Sequence, residues 1–507
     1  MEVLSNLLMG FSVALAPENL IFAFVGVFVG TLVGVMPGVG SVAGVAIALP
    51  LTFGLHPTAA LIMLAGIYYG CQYGGSTSSI LINTPGDSPS VMTCLDGYPM
   101  ARQGRAGPAL GMAAFASFIA GTFGNIFLML LALPLVGVAL SFGPTEYAAL
   151  IMLALTTLGG LAGESVTKAL MMAVFGLLVG TVGTDILSST QRFTFGKDFL
   201  LDGISFLPVA MGLFALSEVL LSAERSLSVT VYKAKVGSLL PTLADWVACK
   251  WSIVRGTLIG FLVGILPGAG ATLATFLTYA AEKQASRTPE RFGKGAIEGV
   301  AAPEAANNAA SIGAMVPLLT LGVPGSGTTA VMMGALMMFG LRPGPMLFEK
   351  NPDLVWGLIA SLYVGNVMLV ILNVPLIRIW VTLLRIPYPI LLPLIVLVCA
   401  TGTYALNNAL TDVWIMFAFG LLGYLLRKLD YPMAPIVLGL VLGPMFETHV
   451  RRALILSQGD WSVFLSRPLA TAFIVFAALS LLAPLARGWW TRRAARQEAP
   501  RAGTQMG

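Results

Sequence analysis

Apolar stretches of roughly 15 to 25 residues follow one another from Leu20 to Leu485, joined by short polar links. Stretches of that length suit helices crossing a hydrocarbon core, which takes about 20 residues. The short alternating segments of a membrane β-barrel are absent from the pattern. The chain therefore reads as an all-α polytopic membrane protein.

Several of these stretches are interrupted, and the interruptions come in pairs. GTLVGVMPGVG at 30–40 returns as GFLVGILPGAG at 260–270, which places Pro37 and Pro267 230 residues apart. LINTPGDSPS, with Pro85-Gly86, returns as LTLGVPGSGT, with Pro324-Gly325, 239 residues on. GNIFLMLLALPLV from Gly124 returns as GNVMLVILNVPLI from Gly365, 241 residues on, with Pro134 and Pro375 in matching places. Three landmarks in one order divide the chain into an N-terminal membrane repeat, 1–223, and a C-terminal repeat with one extra span, 251–485. A cytoplasmic linker, 224–250, holds Arg225, Lys233, Lys235 and Lys250, and a basic cytoplasmic tail occupies 486–507. Paired halves with broken helices are a common plan of secondary transporters.

Composition sharpens this picture. Hydrophobic residues make up 57% of the 507, charged residues only 10%, and the mean hydropathy is +0.87. Soluble domains carry about 25% charged residues, so a water-facing surface cannot be built from this inventory. The basic balance (formal charge +5, pI near 9.0) comes from Lys and Arg in links and tail, a pattern that reports orientation and not a nucleic-acid partner. Cys71, Cys94, Cys249 and Cys399 are scattered without CxxC spacing, so no disulfide framework or metal site is expected. The N-terminal MEVLSNLLMGFSVALAPENL lacks the basic start of a signal peptide and reads as mature sequence.

The basic residues also suggest how the halves relate. None precedes Arg102, so Met1–Glu18 and the turn at His56 are expected outside, making the N-terminus periplasmic. In the second half Lys250 and Arg255 precede the matching hairpin, and Lys283, Arg287, Arg291 and Lys294 follow it. Both flanks are then cytoplasmic, with too few apolar residues between for two full spans. A re-entrant or broken hairpin at Pro-Gly-x-Gly satisfies both observations, dipping from outside in the first half and from inside in the second. The expectation is two inverted-topology repeats, each with a second broken helix at Pro-Gly. Arg427/Lys428 and the tail fall inside, as does the C-terminus, whereas Arg451 and Arg452 fall in an outside loop against the rule. His449 is placed in a loop as well.

Proline removes a backbone donor, and glycine lets the chain turn. In hydrocarbon the freed backbone groups cost several kcal/mol each unless protein or a wet cavity satisfies them. Four interruptions (Pro37, Pro85, Pro267, Pro324) therefore point to a polar cavity, with half-helix N-termini suited to anions and loose carbonyls suited to a cation. The candidate substrate ligands at the first break are Gly38, Gly40 and Ser41. Ser76, Thr77, Ser78, Asn83, Thr84, Pro85, Gly86 and Ser88 surround the second. Gly268, Gly270 and Thr272 mark the third, and Asn307, Asn308, Pro324, Gly325 and Ser326 the fourth. Small polar residues are also ordinary packing residues between membrane helices; their clustering at paired breaks favours the cavity. Asp87, Asn83 and Asn308 are the ion-coupling candidates; Asp87 either ligates a cation or caps the following half-helix. No Lys or Arg falls within the breaks, so substrate carboxylates are expected on helix N-termini and hydroxyls. Glu298 and Glu304 open the segment leading to the fourth break, either at the interface or gating the cavity.

The segment GAIEGVAAPEAANNAASIGAMVPLLTLGVPGSGTTAVMMGAL, with GTLVGVMPGVG, LINTPGDSPSVMTCLDGYPMARQGRAGPALG and LRPGPMLF, resembles the large membrane subunit of the tripartite tricarboxylate transporters, the TctA-like proteins. The likeness spans nearly the whole chain, and the basic tail carries no family motif. It implies a bacterial inner-membrane protein that imports a tri- or dicarboxylate such as citrate, or a related organic acid, by ion symport. It further implies a periplasmic solute-binding protein and a small four-span membrane subunit as partners, with sodium as the coupling ion or protons in its place. No Walker A string occurs, in keeping with an ion gradient as the driving force. An embedded enzyme is disfavoured, since His56 and His449 are the only histidines and neither HExxH nor GxSxG occurs. No cofactor is expected beyond a possible Na+. A standalone sodium- or proton-coupled carboxylate symporter, needing no binding protein, is the alternative.

Overall fold

The computed structural model describes residues 2–36, 38–161, 165–185, 188–224, 237–268, 270–383 and 388–482. Pro37, residues 225–236 of the linker and the tail at 486–507 lie outside the described residues. The first half comprises α1 Glu2–Ala14, α2 Pro17–Val35, α3 Gly40–Ala48, α4 Pro57–Ile82, α5 Val91–Met100, α6 Ala106–Ala139, α7 Pro144–Leu161, α8 Val166–Gly180, α9 Phe206–Ala210 and α10 Ser217–Glu224. The second comprises α11 Leu243–Ile265, α12 Gly270–Ala285, α13 Glu298–Gly313, α14 Met315–Leu321, α15 Gly327–Met338, α16 Pro345–Lys350, α17 Pro352–Asn373, α18 Ile377–Leu383, α19 Tyr388–Asn407, α20 Leu410–Lys428, α21 Ala434–Leu456 and α22 Val463–Ser466. A further apolar helix, Pro468–Leu482, stands where the extra span is expected. Six helical segments among the described residues are long and apolar enough to cross a membrane. Large apolar side chains such as Phe24, Leu262, Trp414 and Leu421 face outward, while buried positions are rich in Ala, Gly, Ser and Thr. That inside-out distribution suits a lipid solvent, in which close backbone approach, and not apolar burial, drives helices together.

Glycine rows make that approach. A Cβ on Gly26, Gly30 or Gly34 of α2 would come within 2.4 Å of the carbonyl oxygens of Met63, Ile67 and Cys71 on α4. Gly256, Gly260 and Gly264 of α11 meet the carbonyls of Ala302, Ala306 and Ala310 on α13 at the same 2.4 Å. The two rows are related by the offsets of 230 and 239 residues that separate the sequence landmarks. Contacts rise together along both members of each pair, so α2 runs parallel to α4 and α11 to α13. The intervening arm must return the chain to its starting side. In the second half that return is direct: Arg255 on α11 clasps Glu282 on α12, Nε to Oε2 at 2.8 Å and Nη2 to Oε1 at 2.7 Å. Lys250 and Arg255, read from the sequence as flanks, are residues of α11 itself.

The halves interlock. Ser76 of α4 meets Glu304 of α13, and Tyr68, two turns earlier, lies near Ser311, two turns later. The two helices are therefore antiparallel. α6 follows α13 in parallel, Ser117 lying by Glu304 and Gly124 by Ile312. α17 reaches back to the first half, where the Tyr73 hydroxyl donates to Asn366 Oδ1 at 2.8 Å. His449, Arg451 and Arg452 are part of α21, not of a loop. There Arg451, one of the two arginines that broke the loop rule, pairs with Asp185 and Glu447, and Arg192 joins the same two acids.

Asp96 of α5 anchors the polar approach to α13. Fully buried, it accepts the backbone N–H groups of Gly293, Gly295 and Ala296 at 2.9, 2.9 and 2.8 Å and the Tyr279 hydroxyl at 2.8 Å. Asp96→Ala strands these donors and is expected to lower stability by about 3 kcal/mol or more, at about 1–3 kcal/mol per unsatisfied group. Melting of the purified protein in detergent checks this; an unchanged midpoint would show that the loop finds other acceptors.

Candidate functional site

At the first break α2 stops at Val35, and Gly38 and Gly40 take φ of 87° and 69° before α3 begins. At the third, α11 stops at Ile265, and Gly268 and Gly270 take φ of 80° and 63°. These are left-handed conformations that only glycine adopts without strain. The second and fourth breaks correspond as closely. α4 is capped by Asn83 and α14 by Gly322, both left-handed, φ 54° and 71°. Four residues on, Asp87 and Ser326 each form a capping box, with Ser90 and Thr329 respectively. The box satisfies first-turn N–H groups that proline and the break leave free.

Asp87 does more than cap its own segment. Its Oδ1 accepts Ser88 N–H at 2.8 Å, and its Oδ2 accepts Ser41 N–H, in the first turn of α3, at 3.1 Å. One carboxylate thus joins two helix N-termini, where partial positive charge favours it. Across the halves Ser41 Oγ meets Thr328 Oγ1 at 3.0 Å, and the Tyr68 hydroxyl lies 3.4 Å from Ser326 Oγ. Within the second half Gly268 N–H donates to Gly325 O at 3.0 Å. The breaks are therefore neighbours in space.

A cavity of about 320 Å³ opens beside the first two breaks. Gly38, Gly40, Pro85, Gly86, Asp87 and Ser88 line it, with Phe214 and Arg427 opposite. Phe214 belongs to a π-helical turn, Met211–Leu216, of the kind often found at functional sites. Arg427, from the end of α20, is bonded to Glu218 of α10 and is 27% exposed, toward the cavity. Gly268, Gly325, Pro324 and Ser326 are buried on the second-half side, with Gly270 partly buried. The remaining candidates are placed elsewhere. Ser76 and Thr77 line a separate space of about 10 Å³, and Ser78 Oγ is spent on Gly75 O. Asn308 donates to Glu304 O, while both amide atoms of Asn307 are buried without a partner in the protein. Asn83 is exposed at its cap, Thr84 Oγ1 turns back to Ile82 O, and the Thr272 carbonyl accepts from Thr275 Oγ1.

Sequence reasoning passed over Arg427 and left Glu304 undecided. Arg427 reads as a loop residue at the end of an apolar run. The signal was its partner, since Glu218 sits in an apolar span and needs a cation. Glu304 is fully buried, neither interfacial nor on the cavity.

A model of the tripartite tricarboxylate transporter TctA family matches residues 20–438. A protein of Agrobacterium vitis described as an uncharacterized 52.8 kDa protein in the TAR-I ttuC' 3' region is 49% identical over 474 residues, 94% of each chain. A second, described as an uncharacterized protein in the TAR-II ttuC' 3' region of the same organism, is 48% identical over 215 residues, 42% of this chain and 89% of its own. No solved structure matches.

Proposed function

Since the chain belongs to the tripartite tricarboxylate transporter TctA family, whose members are transporter subunits and not enzymes, we propose that it is the subunit through which an organic acid, a tri- or dicarboxylate such as citrate, crosses the membrane. The observation that carries this reading is the cavity where broken helices meet. It is walled by backbone at Gly38–Gly40 and Pro85–Ser88 and by one arginine, chemistry that suits a carboxylate. The two halves act as inverted repeats exchanging access to that cavity; the matched breaks and the antiparallel course of α4 and α13 support this. Substrate arrives from a periplasmic solute-binding protein, and a small four-span subunit completes the complex in a bacterial inner membrane. The N-terminus is periplasmic and the C-terminus cytoplasmic.

A di- or trianion entering a site of low dielectric needs its charge balanced, and one arginine already bound to Glu218 does not suffice. Co-bound sodium does so, held by carbonyls freed at the breaks, since hard cations prefer oxygen ligands. Uptake of labelled citrate into proteoliposomes, with the binding protein and small subunit present, should collapse without an inward sodium gradient and survive Asp87→Asn. Sodium-independent uptake that Asp87→Asn abolishes would assign the coupling to protons, and full uptake without the binding protein would make the chain a standalone symporter.

A further inference from the structure

We propose that Glu304 is a proton-binding site, and that it holds its proton in the arrangement described here. It lies near the middle of α13 with no exposed surface, and no ion pair among the described residues reaches it. Its partners are hydroxyls from three helices of the other half. Oε2 lies 2.6 Å from Ser76 Oγ and 3.5 Å from Ser117 Oγ, and Oε1 meets Thr93 Oγ1.

A neutral acid fits this cluster, because a hydroxyl can accept as well as donate. A serine hydroxyl has one proton to give. Ser76 Oγ also lies 3.1 Å from Gln72 O, a carbonyl that can only accept. With the Ser76 proton turned to Gln72 O, a proton on Oε2 can be donated to Ser76 Oγ across the 2.6 Å contact. Thr93 then donates to Oε1, and every oxygen is satisfied without burying a charge.

The surroundings offer no competing countercharge. Tyr73 of α4 and Cys94 of α5 are titratable groups near it, and α6 carries none. On α11 and α12, Arg255 is taken by Glu282, Asp245 by Arg105, and Tyr279 donates to Asp96. Asp87 caps its own segment and α3, α14 has no charged residue, and Glu298 on α13 itself pairs with Arg291. Nor is the cluster part of the repeated scaffold. The positions related to Glu304, Ser76, Thr93 and Ser117 by the repeat offsets are Ala65, Met315, Met332 and Leu358, all buried and apolar. One half alone carries the polar set. Within one turn of it, Gln72 and Asn307 bury both amide atoms unpartnered, and the space of about 10 Å³ beside Ser76 and Ser117 has room for one water. These groups offer a proton a route to or from the acid.

Given the transporter reading above, a shift of α13 against α4, α5 and α6 would strip these hydroxyls from Glu304. The neutral acid tolerates that and the carboxylate does not, so loss of the proton to water locks the halves in place. The test is infrared difference spectroscopy of the full chain in lipid, wild type against Glu304→Gln, across pH, beside uptake measured over the same range. A carboxylic acid C=O band present at neutral pH in the wild type and missing in Glu304→Gln is expected, and Ser76→Ala, which leaves the acid in place, should move that band to higher frequency. Wild-type uptake should fall as pH rises and the proton is lost, with the profile flat in Glu304→Gln. An identical band in wild type and Glu304→Gln, or no shift in Ser76→Ala, overturns the site whatever the substrate proves to be. An unchanged uptake profile in Glu304→Gln overturns the coupling.

Discussion

Gly86→Ala should abolish uptake and destabilise the protein more than any other single-methyl addition at the breaks. A Cβ there would lie 1.7 Å from Gly34 O and 2.9 Å from Gly75 Cα. Both are backbone atoms, and Gly34 is itself pressed on Cys71 O, so neither neighbour can yield. Overpacking of this kind costs about 1–3 kcal/mol and more where nothing relaxes, so a loss of about 3 kcal/mol or more is expected. Gly325→Ala, at the equivalent position, would meet Ala314 Cα at 2.7 Å and should cost less. Gly137→Ala is the control: nothing lies within 4 Å, and its effect should stay within about 0.5 kcal/mol. Melting midpoints with citrate uptake decide the matter. A Gly86→Ala protein that melts and transports like the wild type would show that this break is not seated as described.

Arg427→Ala is expected to fail in two separable ways. It removes the one arginine among the described residues that line the cavity, so uptake should fall about 10- to 100-fold, the 1.5–3 kcal/mol of a hydrogen bond to a charged group. It also leaves Glu218, nearly buried, without its cation, a loss near the lower end of about 3–5 kcal/mol because Arg427 keeps some contact with solvent. Adding Glu218→Ala removes the stranded charge, so the double variant should regain most of the stability and none of the uptake. Recovery of uptake as well would make the pair structural and return the substrate carboxylates to helix N-termini and hydroxyls alone, as the breaks by themselves suggest. Arg427→Lys should keep the charge but lose the planar fork, with an intermediate result.

These experiments separate what was legible in the residues from what was not. Helical membrane class follows from composition and stretch length, because hydrocarbon admits few backbone solutions. The paired Pro-Gly landmarks were visible because backbone breaks need particular residues wherever they occur. GxxxG rows on α2 and α11 were equally readable and were passed over; their spacing marks a close-packing face. Asp87 and Ser326 also fall on matched positions, since an N-cap is a local demand on a side chain.

What sequence could not supply was which polar residues meet. Ser76 and Glu304 are 228 residues apart, Arg427 and Glu218 209, and only the interlocking of halves brings them together. Positive-inside counting placed Arg427 and Arg451 in loops because it scores charge without partners, whereas the helices run on where an acid pairs with the base. The same limit hid the difference between two acids in small-residue surroundings. Asp87 spends its charge on two helix N-termini beside a cavity, and Glu304 has only hydroxyls and no exposed surface. Periodicity and turn chemistry are local and survive in one dimension; the solvation of a buried charge depends on every helix around it, and tertiary structure alone decides it.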